Sequence, residues 1–269
     1  MRFAAPAIAL CLSLCAPAAH AASRSVYLQE LSSTEVRDAL RDGTRTIIIP
    51  VGGTEQNGAH MALGKHNFRA QALAGRIAAE LGHTLVAPVV AYVPEGRVAP
   101  PTEHMRWAGT ISVPDEAFRA VLDGAARSLA QHGFKDIVFI GDHGGYQAQL
   151  KAVVDRLNRD WARSGARAHY VAEYYRASQD GVAALLRARG LSAAQIGTHA
   201  GSADTAVQLA VAPNTVRSGL LAQAAREGAA GGVAGDPQAA SAALGQEAAD
   251  LIVTQSTAAI RAALGAARR

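Results

Sequence analysis

Three short polar clusters in this 269-residue chain carry the side chains best suited to chemistry. Glu55 and His66 belong to the first cluster, His143 to the second, and His199 and Asp204 to the third. The clusters read GGTEQNGAHMALGKHN, GDHGGY and THAGSAD. Carboxylates and imidazoles, beside glycines that permit close approach of the backbone, suit a divalent metal ion. The residue types therefore predict a zinc, manganese or iron site built from nitrogen and oxygen ligands.

Cysteine is not expected to take part in this site. Cys11 and Cys15 lie in an N-terminal segment with a basic Arg2, a short apolar run and an Ala-His-Ala sequence ending at Ala21, which is typical of a secretory signal peptide. We expect cleavage after Ala21 and export, in a bacterium to the periplasm; an uncleaved anchor is the alternative. The remaining chain, residues 22–269, would hold no cysteine, which excludes disulfides, thiolate catalysis and cysteine-ligated zinc.

The composition favours a folded domain that acts on a small molecule. Hydrophobic residues make up 49% of the chain and charged residues 18%, which excludes an intrinsically disordered protein. The net charge is only +4, and no stretch combines lysine and arginine with aromatic residues. We therefore expect no nucleic-acid partner. The apolar run of the signal is too short for a membrane span, so no stable membrane insertion is expected after cleavage.

Strands that alternate with helices predict a single α/β layered domain with a mostly parallel sheet. The strands are predicted at Thr46–Val51, Thr84–Val90, Ile137–Ile140 and Ala168–Ala172. Helices are predicted near residues 32–43, 68–81, 115–132, 148–161, 180–189, 204–211 and 238–263, and a mobile surface loop over 220–235. The first two polar clusters directly follow predicted strands. Because ligands bind beyond the carboxyl ends of parallel strands, these clusters are expected to share one site.

These motifs resemble those of the creatininase (creatinine amidohydrolase) family. PVGGTEQNGAHMALGKHN is similar to the family's P-x-G-S-x-E-Q-H-G-P-H-L-P and the G-x-D turn that follows it. GDHGGY is similar to N-G-H-G-G-N, and HAGSADTA to H-A-G-E-x-E-T-S. The flanking segments HMRWAGTISVP and GGVAGDPQAAS also match, so the resemblance runs from Pro50 to about Ser241. It implies a three-layer αβα fold and a homo-oligomer, in the family often a hexamer.

The resemblance also implies an activity and a set of site residues. The activity is metal-dependent hydrolysis of a C–N bond in a small amide, cyclic amide or formamide. By position in the motifs, the metal ligands are Glu55, His66, His143 and Asp204, and the catalytic residues are Glu55 and His199. His199 falls where it would protonate the leaving nitrogen. Substrate-binding residues are expected at Asn57, His60, His104 and Tyr146.

Two positions depart from the family pattern in ways that change the metal chemistry. Asn57 stands where the family has a histidine ligand, and His66 where it has a bridging aspartate. A neutral imidazole offers one lone pair, whereas a carboxylate can bridge two cations. We therefore predict one ion, best zinc with manganese or iron as alternatives. Lys65 is expected to bring positive charge near the pocket and favour an anionic substrate.

These departures keep two other functions open. One is a catalytically degenerate protein that keeps the fold as a ligand-binding or assembly protein. The other is hydrolysis of a lactone or ester, because activated water does not dictate the leaving atom.

Overall fold

Four parallel strands form the central sheet in the computed structural model, which describes residues 25–267. The strands are β1 (Thr46–Val51), β2 (Thr84–Val86), β3 (Asp136–Gly141) and β4 (Arg167–Tyr170), in the order β2-β1-β3-β4. β1 and β3 pair in register from Thr46 with Asp136 to Val51 with Gly141, so both strands end at the same level. The segments that follow them therefore leave the sheet side by side. The predicted signal peptide lies outside the described residues.

Helices cover both faces of this sheet. In chain order they are α1 (Ser33–Arg41), α2 (Lys65–Leu81), α3 (Asp115–Gln131), α4 (Gln147–Asp160), α5 (Ala172–Arg176), α6 (Val182–Ala188), α7 (Ala193–Ile196), α8 (Ser202–Val211), α9 (Leu221–Glu227) and α10 (Ala242–Ala267). A π-helical turn, Ala177–Gly181, joins α5 to α6. None of the described helices is long and apolar enough to span a membrane.

The buried strand β1 explains the three layers. Its residues alternate between the two faces of the sheet because side chains in a strand have a period of two. Ile49 packs in one core cluster with Phe118 of α3, and Ile48 packs in the other with Leu73 of α2 and Ile252 of α10. A strand buried on both faces is apolar along most of its length, as the residues IIIPV that follow Thr46 provide. The predicted three-layer αβα fold with a parallel sheet is confirmed.

Several predicted boundaries change. The prediction of a mobile surface loop over residues 220–235 is wrong. This segment contains α9, and its residues Ala224 and Val233 are buried against Met61 and Ala200. β2 ends four residues before the predicted strand end. α2 begins at Lys65, three residues before its predicted start, and this first turn carries two residues of the first polar cluster.

Candidate metal centre

Four side chains meet at the carboxyl edge of the sheet, where β1 and β3 end. They are Glu55, Glu95, His104 and His143, and one ligand atom of each lies within 4.8 Å of all the others. Glu55 lies in the loop after β1, and His143 follows β3. Glu95 and His104 come from the long connection between β2 and α3. The topology thus brings together residues from three separate loops.

The loop after β1 is fixed by close contacts with α2 and with its own far end. The amide of Gly53 donates to the side-chain oxygen of Asn67 at 2.9 Å, and the amide of Glu55 donates to the carbonyl of Leu63 at 3.0 Å. Gly52 approaches Asn67 so closely that a Cβ atom there would lie 2.8 Å from the Asn67 Cα. Only glycine allows this approach, which directs Glu55 across the strand ends.

The connection after β2 holds Glu95 by its backbone. The Glu95 amide donates to the Ser112 hydroxyl at 3.0 Å, and that hydroxyl donates to the Gly96 carbonyl at 2.7 Å. The side chain of Glu95 is left free to point towards His143, whose Nε2 lies 3.6 Å from Glu95 Oε2.

The carboxylate oxygens of this group lack the partners that burial normally requires. Glu55 is fully buried, and its Oε2 lies 3.1 Å from His104 Nε2 and 3.4 Å from His143 Nε2. Within residues 25–267, neither this oxygen nor either oxygen of Glu95 has a hydrogen-bond partner. A buried carboxylate is costly unless a cation or hydrogen bonds compensate it. The donor set of two carboxylates and two imidazoles fits a divalent metal ion such as zinc or manganese.

Burial shifts the pKa values of the imidazole and carboxylate side chains in opposite directions. Burial lowers the pKa of His143 to about 3, although the Glu55 carboxylate opposes the shift, so its imidazole is neutral and able to bind a metal. Burial and the neighbouring charge of Glu55 raise the pKa of Glu95 to about 9. With a pKa this high, Glu95 carries a proton near neutral pH, and a cation bound beside it would favour its ionised form.

A buried ion-pair network at the start of α2 lies next to the group, and its residues Lys65 and Asp204 line a small cavity together with His104 and His143. Lys65 Nζ is 3.1 Å from Asp204 Oδ2 and 3.3 Å from Glu55 Oε1. Arg69 contacts Asp204 through Nη1 at 2.6 Å and Asp142 through Nε at 3.3 Å. Despite burial, these cations hold the pKa of Asp204 far below its usual range. The ammonium of Lys65 is thus neutralised internally, which argues against the expectation that it attracts an anionic substrate.

His66 links the metal-ligand group to this network. Its Nε2 lies 2.8 Å from Glu55 Oε1, and its Nδ1 lies 2.5 Å from Asp142 Oδ1. Tyr174 donates its hydroxyl to the other oxygen of Asp142 at 2.7 Å. Both ring nitrogens of His66 are therefore engaged by carboxylates, so it is a neighbour of the four residues and its predicted metal ligation remains a prediction.

His199 lies at the mouth of the site. A cavity of about 190 Å³ opens there, and its lining includes His199, His104 and His143. His199 Nε2 lies 2.9 Å from the Gln56 carbonyl, and Nδ1 lies 3.7 Å from Glu55 Oε1. Burial and the charge of Lys65 lower the pKa of His199 to about 4, so the ring is neutral near pH 7.

The remaining predicted substrate-binding residues are buried around the loops. Asn57 donates to the carbonyls of Glu55 and Ala62, at 2.9 and 3.1 Å. His60 Nε2 lies 3.0 Å from the Thr205 hydroxyl. Tyr146 is fully buried and donates to the carbonyls that end β1. These contacts brace the site, and they argue against a direct role in holding substrate.

Sequence reasoning missed Glu95 and placed two residues differently from the structure. His104, predicted to bind substrate, lies among the four potential metal ligands, whereas Asp204, predicted to bind metal, is occupied by Lys65 and Arg69. Glu95 gives almost no signal, because it lies in an irregular segment outside the three polar clusters. Its neighbours Pro94 and Gly96 predict only a turn, so the sequence gives no sign that this carboxylate is buried.

Comparison with known proteins identifies the family. The family model described as "Creatininase: Creatinine amidohydrolase" matches residues 29–260, which is most of the chain. This chain belongs to the creatininase family.

Solved creatininase structures agree with this chain in fold. One titled "Creatininase Mn" superposes with a TM-score of 0.73 at 21% identity, covering 88% of this chain and 98% of the other. Another, described as a creatininase of Zn-Zn type, has a TM-score of 0.72 at 22% identity and covers 89% and 98%.

Curated relatives match this creatininase-family chain over a shorter region. "Mycofactocin precursor peptide peptidase" of Mycobacterium tuberculosis (strain CDC 1551 / Oshkosh) is 34% identical over 45% of this chain and 49% of its own length. "3-dehydro-scyllo-inosose hydrolase" of Thermotoga maritima is 30% identical over 44% and 36%. "Creatinine amidohydrolase" of Pseudomonas putida is 27% identical over 45% and 46%. The matches span half or less of these relatives.

Proposed function

We propose that this protein is a metal-dependent hydrolase that cleaves a C–N bond in a small amide, cyclic amide or formamide. One divalent ion would be held by Glu55, Glu95, His104 and His143. The observation that carries the proposal is the set of buried carboxylate oxygens without hydrogen-bond partners at the end of the sheet, in a chain of the creatininase family. Zinc is the first choice for the ion, and manganese or iron are alternatives.

The chemistry divides between the ion and the protein. The ion would supply Lewis-acid activation of water and of the scissile carbonyl. His199 is placed to move the proton: Nε2 lies 2.9 Å from the Gln56 carbonyl and 3.2 Å from the Gln56 side-chain nitrogen, and Nδ1 faces Glu55 Oε1 at 3.7 Å. The neutral ring would accept a proton from the attacking water and return it to the leaving nitrogen. His66 and Lys65 hold Oε1 of Glu55 and so fix that carboxylate.

The size of the cavity supports a small substrate. About 190 Å³ is below the roughly 300–1,000 Å³ typical of pockets for drug-sized ligands. A cyclic amide or formamide is small enough, and an ester or lactone of the same size is an alternative substrate.

The proposal also includes assembly into a homo-oligomer and export of the chain. The first rests on the family resemblance and the second on the N-terminal sequence. Light scattering and N-terminal sequencing of the exported protein test these two points.

The experiment is a hydrolysis screen of metal-loaded protein. The chain from residue 22 is saturated with Zn²⁺ or Mn²⁺ and assayed for amine release from small amides, cyclic amides and formamides, with esters and lactones alongside. We expect wild type and Glu80→Gln, an exposed control, to hydrolyse an amide, and Glu95→Gln to lose both the bound ion and the activity. If wild type retains its ion and hydrolyses no member of the panel, the protein is a degenerate family member and the proposal fails.

A further inference from the structure

The least expected residue at this site is Lys65, whose side chain is 1% exposed. Lysine is almost never this buried unless its charge is paired. Its ammonium lies 3.3 Å from Glu55 Oε1 and 3.1 Å from Asp204 Oδ2, so a fixed positive charge stands between two carboxylates. Two carboxylates are typical ligands of a cation, and here the Lys65 ammonium occupies the position between them.

The two carboxylate oxygens of Glu55 face different partners: one faces the Lys65 ammonium and the other faces the potential metal centre. Oε1 lies towards Lys65 Nζ and towards His66 Nε2, at 3.3 and 2.8 Å. Oε2 lies towards His104 and His143, the imidazoles of the potential metal centre. In a two-metal site a carboxylate can bridge both ions, since each oxygen binds one of them. Here the same carboxylate bridges one metal position and one ammonium.

The count of buried charges favours a single divalent ion. Lys65 and Arg69 supply two positive charges, which match the negative charges of Asp142 and Asp204. With His66 counted as neutral, Glu55 and one further carboxylate, that of the potential metal centre, then remain, and one divalent ion balances them; a proton on His66 would leave still less negative charge for a second ion. A second divalent ion beside Lys65 would place uncompensated positive charge in a buried site, which is strongly unfavourable.

We propose that the ammonium of Lys65 takes the place of a second metal ion, holding Glu55 Oε1 and limiting the site to one divalent cation. The inference rests on the proposed function in one respect, that the first ion binds at Glu55, Glu95, His104 and His143. Lys65 is a positioning residue in this account, because it acts on the metal centre through Glu55.

The test is to count Mn²⁺ ions in the wild-type chain and in Lys65→Ala. Equilibrium dialysis gives the number bound per chain, and electron paramagnetic resonance separates an isolated Mn²⁺ from a coupled pair. We expect one isolated ion in wild type and in Lys151→Ala, an exposed lysine used as control. Lys65→Ala should bind two ions and show a coupled pair, because Glu55 and Asp204 lose the charge that compensated them.

A second variant covers the case in which Lys65→Ala does not fold. Lys65→Met keeps the length of the side chain but removes its charge. Without the repulsion between the ammonium and the divalent ion, the first Mn²⁺ should bind at least ~10-fold more tightly than in wild type. An unchanged affinity in Lys65→Met would overturn the proposal, as would two ions in wild type, or one ion in both wild type and well-folded Lys65→Ala.

The outcomes separate this inference from the proposed function. If wild type binds no ion while Lys65→Ala gains one, the proposed function loses its metal centre and the inference about Lys65 stands. If wild type binds one ion and Lys65→Ala also binds one, the metal centre stands and the inference fails.

Discussion

Glu55 is the residue on which the site depends, because it is fully buried and contacts both the potential metal ligands and the ion-pair network. Burial raises its pKa, but Lys65 and His66 outweigh that effect and hold the pKa of Glu55 well below its usual range. Glu55 is therefore ionised at neutral pH and stays available as a ligand. His104 completes the group from the more open side, where its side chain is 22% exposed.

Replacing His104 tests its role as a ligand. His104→Ala removes one imidazole from the four potential ligands, and the affinity for Zn²⁺ should fall by at least ~10-fold, since even outer-shell partners of a metal contribute ~10–100-fold. Isothermal titration calorimetry measures the affinity. His132→Ala, an exposed histidine at the end of α3, should leave it unchanged. Equal affinities in the two variants would remove His104 from the ligand set.

The candidate ligand residues could be predicted from sequence only where a motif contained them. Glu55 and His143 were found because each lies directly after a strand, in a polar and glycine-rich segment. Glu95 was missed because a long irregular connection, held by backbone contacts to Ser112, brings it to the site. The predicted metal ligation of Asp204 remains a prediction, and a sequence does not show that Arg69, about one turn into another helix, would bind this carboxylate.

The junction between β1 and α2 is the element that positions the site. β1 ends at Val51, and the loop crosses the first turn of α2 at Gly52 before reaching Glu55. The tight approach of Gly52 to Asn67 fixes the separation between the loop and the helix. Because Lys65 and His66 also lie in this turn, the junction sets the distance between Glu55 and its partners.

Gly52→Ala should destabilise the protein. The added Cβ would lie 2.8 Å from the Asn67 Cα and 2.9 Å from its amide nitrogen, and neither backbone atom can move without shifting α2. Overpacking of this kind costs about 1–3 kcal/mol of unfolding free energy. Urea denaturation measures the change.

Gly124→Ala is the matched control for this change. Gly124 lies exposed in α3, with open space around it, so alanine should stabilise the protein by about 0.5–1 kcal/mol. If Gly52→Ala is as stable as wild type while Gly124→Ala behaves as expected, the β1–α2 junction is not rigid.

The strands and helices that could be predicted from sequence are those with a clear pattern of apolar residues. β1 and β3 were predicted from continuous apolar runs, and α2 from its helical periodicity. Helix α9 was not predicted, because the many alanines and glycines of its segment give little hydrophobic pattern. Its order comes from long-range contacts that sequence does not reveal, such as the hydrogen bond from Gln56 to the Gly232 carbonyl at 3.0 Å.

On the scale of the whole molecule, a buried charge network joins the central sheet to the helices of one face. Asp142 follows β3, Arg69 lies on α2 and Asp204 on α8, and the ion pairs hold these elements together. Burial raises the pKa of Asp142, but Arg69 and His66 outweigh it and lower the pKa overall. A carboxylate with a lowered pKa stabilises the folded state fully only above its unfolded pKa of ~3.9.

Asp142→Asn should therefore destabilise the protein at pH 7, by about 3–5 kcal/mol, because Arg69 loses one of its buried partners. The difference from wild type should begin to shrink below about pH 4, where the Asp142 carboxyl of the unfolded chain takes up a proton, and it should disappear only as the pH falls through the lowered pKa of folded Asp142. Urea denaturation at pH 7 and at pH 3 checks both values.

Asp155→Asn serves as the control, since Asp155 pairs with Lys151 on the surface and such pairs contribute about 0–1 kcal/mol. A destabilisation by Asp142→Asn that is the same at both pH values would show that its charge does not provide the stability.

The central claim, one divalent ion bound by Glu55, Glu95, His104 and His143, is tested most directly by crystallography. Crystals of the wild-type chain grown with Mn²⁺ give anomalous difference density at each bound ion. The account predicts one strong peak per chain at this site, in contact with all four side chains, and none between Lys65 and Asp204. A peak ligated by Asp204, a pair of peaks bridged by Glu55, or no peak among the four side chains would contradict it.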